Sequence, residues 1–173
     1  MDAEGRKLEY YEGRHADLRD VTLCYPIDPG RNMVLIAMKK RGFGVGKWNG
    51  SGGKCKEGES VEDALKRETE EELGIKIISF RKVGVLKFFF TDHMEWDQKV
   101  HVFLVDSWDG DPVESEEMRP KWHRIDGLPF KDMWPDDEYW LLDALSGKKV
   151  RASFLFDSDN RIIDHRIENV EGL

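Results

Sequence analysis

GKCKEGESVEDALKRETEEELGI, Gly53–Ile75, is the stretch on which the fold turns. From Ser60 onward it reads as a helix. Ser60 with Asp63 three residues later forms a weak capping box, Val61, Ala64 and Leu65 recur at helical spacing, and Gly74 is placed to end the helix after Leu73. Four glutamates, Glu68 and Glu70–Glu72, crowd five positions, where mutual repulsion weakens a helix. Residues three and four apart share a helix face, so Glu68, Glu71 and Glu72 project together, while Glu70 lies four residues beyond Lys66. Two readings follow. One is a solvated acidic face laced by Lys66–Glu70 and Arg67–Glu71 pairs, which charge pattern alone favours. The other is a set of oxygen ligands for a hard divalent cation, Mg²⁺ or Mn²⁺, with room left for water and phosphate oxygens.

Outward from the helix, the flanks organise themselves by period and punctuation. VTLCYPI (21–27) and MVLIAMK (33–39), split by DPGRN, predict a hairpin. A loop with seven glycines follows over residues 39–59, and Lys39, Lys40, Arg41, Lys47 and Lys54 concentrate positive charge there. After the helix, FRKVGVLKFFF and KVHVFLVDSW predict two neighbouring strands. In the second, Val100, Val102 and Leu104 face one way and His101, Phe103 and Val105 the other, both faces covered. KWHRI predicts a short strand, residues 136–145 a helix, and RASFLFD with RIIDHRI a closing hairpin. Residues 1–18 are polar and without period, an extension of uncertain order, and the domain is expected over 19–173.

Composition excludes several classes. At 173 residues, 39% hydrophobic and 36% charged, the chain suits one globular domain. No window approaches the roughly 18 apolar residues of a membrane span, and the first residues lack the apolar core of a signal peptide, so a cytoplasmic monomer is expected. A net charge of −8 argues against direct nucleic-acid binding but not against a small polyanion that brings its own metal. Cys24 and Cys55 read as free thiols, and the five histidines share no ligand spacing.

The spacing of the polar positions decides between the two readings of the acidic run. Gly53, five residues, Glu59, seven residues, Arg67-Glu68, two residues, Glu71-Glu72, one residue, Gly74-Ile75: this resembles the signature of the Nudix hydrolases. At ordinary residue frequencies the seven polar and glycine positions coincide about once in 10⁸ starts. Thr69 stands where that family often has a larger aliphatic residue. The resemblance implies an α+β fold, a mixed β-sheet sandwiched between α-helices (an α-β-α sandwich), with the motif as loop-helix-loop. It implies that Glu68, Glu71 and Glu72 bind divalent metal together with the Gly52 carbonyl, that Arg67 orients a glutamate and that Glu59 braces the loop. The implied reaction is hydrolysis of a nucleoside diphosphate linked to another group, with Lys39 and Lys54 steadying phosphates.

Three further segments, Met38–Lys54, Val113–Pro120 and Pro129–Trp140, resemble the branch of this family that acts on oxidised purine nucleoside triphosphates, and the likeness runs over about residues 22–166. It implies cleavage of 8-oxo-dGTP or 2-oxo-dATP to monophosphate and pyrophosphate. It puts Asn49, Trp134, Asp136 and Asp137 at the base, Phe43 and Phe88 around it, and Lys39 and Thr22 nearby, with Cys24 as the alternative to Thr22. Glu117 matches a further metal-site acid or base. Adjacent carboxyls in an apolar pocket resist double ionisation, so one holds a proton and the pair offers a donor beside an acceptor. Three competing readings stay open: PDDE as a plain helix cap, an enzyme for ADP-ribose or a dinucleotide polyphosphate, and a noncatalytic nucleotide-binding module.

Overall fold

The computed structural model describes residues 1–15 and 17–173. Eight strands, β1 (Arg19–Asp28), β2 (Met33–Lys39), β3 (Trp48–Asn49), β4 (Lys76–Phe90), β5 (Gln98–Asp109), β6 (Met118–Arg124), β7 (Lys149–Phe156) and β8 (Ile162–Val170), run in the order β3-β2-β1-β5-β4-β7-β8, with β6 on the other edge of β2. The sheet is mixed: β1 runs parallel to β5 and β4 parallel to β7, the other pairings being antiparallel.

The first hairpin closes only at its base. Ile27 pairs with Val34 and Asp28 with Met33; beyond that β1 leaves β2 and lies along β5 for eight residues, from Arg19/Gln98 to Pro26/Val105. On the edge that β1 vacates β2 takes β3, through Ala37/Asn49 and Met38/Trp48, while its other edge carries β6 from Met33/Arg124 to Lys39/Met118. The strands therefore splay, and the glycine loop folds back across β1 through Val21/Lys54 and Cys24/Ser51 bridges.

Helix α2 (Val61–Leu73) and helix α3 (Asp137–Leu145) cover opposite faces, which is the α-β-α sandwich. On β5 the alternation holds: Val100, Val102 and Leu104 pack toward Trp140, Leu141 and Ala144 of α3, whereas Phe103 and Val105 pack toward Leu65 of α2. α2 begins and ends where its polar punctuation dictates. The Ser60 hydroxyl accepts from the Asp63 amide at 3.1 Å, and Gly74 takes a left-handed φ of 72°, passing its N–H to Glu70 O.

The N-terminal stretch differs from the expectation of an extension of uncertain order. Leu8–Gly13 forms a short helix, α1, whose Leu8 and Tyr11 are buried against Phe89 and Leu155. Tyr11 donates its hydroxyl to the buried Asp2 carboxylate, which also accepts from Arg6 Nε at 2.6 Å and Arg6 N at 2.7 Å. A segment with only two buried apolar anchors carries no detectable period, so its seat on the sheet had no local signal.

Candidate active site

Glycine brings the loop against the helix. A Cβ on Gly53 would strike the carboxyl group of Glu68, and one on Gly52 would strike the backbone oxygen of Thr22. Only bare backbone therefore fits between β1 and α2. In that gap Gly52 N–H donates to Glu72 Oε2 at 3.0 Å. Glu72 is 8% exposed, and its carboxyl is pushed up to about 7 by burial, with the Glu68 charge adding to the shift and the Gly52 amide opposing it.

Arg67 organises the remaining acids. Its Nε meets Glu59 Oε2 at 2.8 Å and its Nη2 meets Glu59 Oε1 at 2.9 Å, a two-point fork that holds the Glu59 carboxyl down at about 2. The same guanidinium donates through Nη1 to Glu68 (2.8 Å) and Glu71 (3.3 Å), and through Nη2 to Lys54 O (3.2 Å). Glu70 pairs with Lys76 at 3.9 Å rather than with Lys66. Among the described residues no three acidic, histidine or cysteine side chains close on one point as a finished metal cage. Arg67 and the Gly52 amide are what hold these carboxylates. The donor chemistry nonetheless fits a hard cation: hard oxygens at i and i+4 beside glycine backbone, with a desolvated Glu72 whose charge has no cationic side chain in contact.

Above the loop a cavity of about 420 Å³ opens, the size of a small-molecule site. All nine side chains expected to touch substrate, Thr22, Lys39, Phe43, Asn49, Lys54, Phe88, Trp134, Asp136 and Asp137, line it, together with Gly52. Cys24 does not; it is fully buried under Leu65 and Phe103. Phe43, nearly half exposed, leans on Trp134 (centroids 5.1 Å) and Trp96 (4.8 Å) at the rim, above a floor where Phe90 stacks on Phe156. Asn49 is oriented: its Oδ1 accepts from Gly50 N–H at 2.8 Å and Tyr25 OH at 3.1 Å, which leaves the amide NH₂ as its donor.

Asp136 and Asp137 are each 2% exposed. Asp136 stands at the helix N-cap position, yet its side chain makes no capping bond; it accepts from Trp140 Nε1 at 2.8 Å. Asp137 Oδ2 has no partner among the described residues. Burial pushes the Asp136 carboxyl up to about 6, and burial with the neighbouring Asp136 charge pushes Asp137 well above the usual range. The pair thus resists double ionisation.

Glu117 stands near enough to Glu72 for its charge to raise that carboxyl's pKa, but its own partner is Arg41. Arg41 Nη2 grips its Oε1 at 2.6 Å and lowers its pKa, and Glu117 does not line the cavity. Residues that sequence reasoning passed over also line the cavity. Lys47 Nζ sits 5.3 Å from the Trp134 ring centre, a cation–π distance, and Trp96 belongs to the turn between β4 and β5. Lys47 had a signal, the charge cluster of the glycine loop; Trp96 had none, because only the fold brings that turn to the rim.

A glycine loop laid on a glutamate-rich helix, at the mouth of an aromatic cavity with a buried acid pair, defines a metal-assisted hydrolase of phosphate anhydrides. The NUDIX domain family matches residues 17–144, and the chain belongs to that family. It is 44% identical over 153 residues to the oxidized purine nucleoside triphosphate hydrolase of Danio rerio, covering 88% of this chain and 96% of that one. Against the Mus musculus protein of the same name identity is 45% over 150 residues, covering 87% and 94%. The crystal structure of a mutator MutT protein from Bacillus halodurans superposes with a TM-score of 0.75 at 25% identity, covering 87% of this chain and 98% of that one. Nudix hydrolases work with a divalent metal. No helix among the described residues is long and apolar enough to cross a membrane.

Proposed function

We propose that this chain hydrolyses oxidised purine nucleoside triphosphates, 8-oxo-dGTP and 2-oxo-dATP among them, to the monophosphate and pyrophosphate with Mg²⁺, for which Mn²⁺ can substitute. The observation that carries the reading is the buried Asp136–Asp137 pair, which resists double ionisation and lines the same cavity as Asn49 and Trp134. One acid accepts and the other donates, and moving the proton between them reverses the pattern, so two purine edges altered by oxidation can be read by one pair. The identity of the two vertebrate relatives supports the same substrate class.

Trp134 and Phe43 stack on the base, while the Asn49 NH₂ donates to its edge. Lys39 and Lys54 line the way from the base to Gly52 and neutralise phosphate charge. Glu68, Glu71, Glu72 and the Gly52 carbonyl hold the divalent cation, which supplies positive charge to the phosphate oxygens and acidity to the attacking water. Arg67 sets the positions of Glu68 and Glu71, and Glu59 sets Arg67. Glu117 reaches this site by leaving Arg41. The working unit is taken as a monomer, with α1 packed through Leu8 and Tyr11 on the Nudix domain.

The test is kcat/KM with Mg²⁺ for 8-oxo-dGTP, 2-oxo-dATP, dGTP and ADP-ribose, with products identified. The expected result is a preference of about 100-fold or more for an oxidised purine over dGTP, worth roughly 2.7 kcal/mol, and release of pyrophosphate. Equal rates, or a preference for ADP-ribose, would reject the base-reading role of Asn49, Asp136 and Asp137.

A further inference from the structure

The sheet carries a second cavity on the face opposite the first, about 390 Å³ in volume. It lies between the footprints of two helices: α1 covers Phe89 and Leu155 at one end of this face, and α2 covers Phe103 and Val105 at the other. The floor between them is basic. Lys87 pairs in register with Lys99 and with Ser153, and Ser153 with Arg166, so one row crossing four strands carries three cations. The next row sets His101 opposite Val85 and Val85 opposite Arg151. With Lys82, five cations line the cavity against two carboxylates, Glu12 and Glu168, in a chain whose net charge is −8.

Most of that charge is unanswered. Arg166 is paired, with Glu12 at 3.1 Å and Glu9 at 3.2 Å. Lys82, Lys87, Lys99 and Arg151 have no ion-pair partner among the described residues. Like charges directly opposite across a strand pair cost stability, and Lys87 faces Lys99 in that way. His101 lines this cavity, is 5% exposed, and donates its Nε2–H to Asp20 at 2.7 Å. Burial lowers its pKa, so the ring adds no cation of its own to the floor and serves as a fixed neighbour of the lysines.

We propose that this cavity binds a small multivalent oxyanion of the phosphate class, held by Lys82, Lys87, Lys99 and Arg151, with His101 beside it in the lining. Four cations from three adjacent strands suit an anion bearing several charged oxygens rather than a single carboxylate, and the volume admits a phosphate, a pyrophosphate or the phosphate end of a nucleotide. The site is separate from the hydrolytic one by the thickness of the sheet: Lys87 and Lys99 face it, whereas Phe88, Gln98 and Val100 beside them line the first cavity. It therefore stands or falls independently of which substrate the enzyme takes.

The experiment is a calorimetric titration of the full chain with pyrophosphate, inorganic phosphate and dGMP in EDTA, with the His101 imidazole signals followed by NMR. Saturable pyrophosphate binding that shifts the His101 signals is expected. It should weaken about tenfold or more in Lys87→Gln/Lys99→Gln and persist in Lys54→Ala, which alters only the first cavity. Response to pyrophosphate and phosphate but not dGMP assigns a free inorganic anion; response to dGMP as well assigns the phosphate end of a nucleotide. Unmoved His101 signals, or undiminished binding in the double variant, would overturn the proposal. Thermal melts guard against misfolding: relief of the Lys87–Lys99 repulsion should leave the double variant at least as stable as wild type without anion, and Arg151→Gln gives a second, milder reading.

Discussion

Trp140 Nε1 donates to Asp136 Oδ2 at 2.8 Å, one helical turn on, where both side chains are buried. The bond takes Asp136 away from capping its own helix and fixes it toward the cavity. Trp140→Phe keeps most of the buried ring but leaves the acceptor without its donor. A loss of about 1–3 kcal/mol in denaturant unfolding is expected, together with a further rise of the acid pair's pKa. Unchanged stability would mean that water replaces the indole.

The acid pair also sets a pH dependence with a definite sign. Burial raises the folded-state pKa of Asp136 from about 3.8 to about 6, and that of Asp137 further. The stabilisation this represents is complete below about pH 4 and is lost as pH rises through 6. Asp136→Asn should therefore gain stability relative to wild type between pH 4 and pH 7, followed by thermal melts. The same variant should shift the acid limb of kcat/KM near pH 6, where the Asp136 carboxyl titrates, and change the preference between 8-oxo-dGTP and 2-oxo-dATP. An unaltered preference would remove the pair from base reading.

Gly52 and Gly53 should separate folding from turnover. In Gly53→Ala the new methyl meets the end of a flexible side chain, Glu68, which moves aside. We expect kcat to fall at least about 100-fold with little change in melting temperature. In Gly52→Ala the methyl meets the Thr22 backbone, which does not move cheaply, so the expected result is poor folding.

Arg67→Lys tests the hub of the helix. Lysine keeps the charge but lacks the planar fork that reaches Glu59, Glu68 and Glu71 together. Turnover should drop by about 10- to 100-fold with the substrate preference retained. Glu71→Gln should remove most turnover and leave the melting temperature close to wild type; near-normal activity in that variant would reject its place among the metal ligands.

Leu8→Ala addresses the N-terminal clasp. Leu8 is 2% exposed against Phe89 and Leu155, so a cost of about 2–5 kcal/mol is expected in denaturant unfolding. A change below about 0.5 kcal/mol would show that α1 is dispensable.

What could be read from the chain alone was whatever is local. Ser60 and Gly74 mark α2 through bonds made within a few residues, and alternation on β5 survives because both of its faces are buried by different helices. The glutamate spacing was legible for the same reason. The splaying of β1 from β2 was not: a hairpin turn at Asp28–Met33 looks alike whether the strands stay together or part, and the choice is made by β5, which lies more than fifty residues away. Glu117 was legible as an acid near the glycine loop, but not as a partner of Arg41, since nothing local distinguishes it from Glu114 or Glu116. Lys47 over Trp134 and His101 over the basic cavity are likewise contacts between distant stretches.

The early parting of β1 and β2 has an evolutionary corollary. Glu68, Glu71 and Glu72 answer to the loop laid over β1, whereas Trp134, Asp136 and Asp137 answer to α3 and the segment before it. The loop's Gly52 and Gly53 line the same cavity as Trp134, Asp136 and Asp137, but no side-chain hydrogen bond joins the two groups among the described residues, so drift in one is not punished by the other. Such a scaffold can exchange the letter it reads while retaining the scissors, and a lineage can explore new nucleotides without first losing its chemistry.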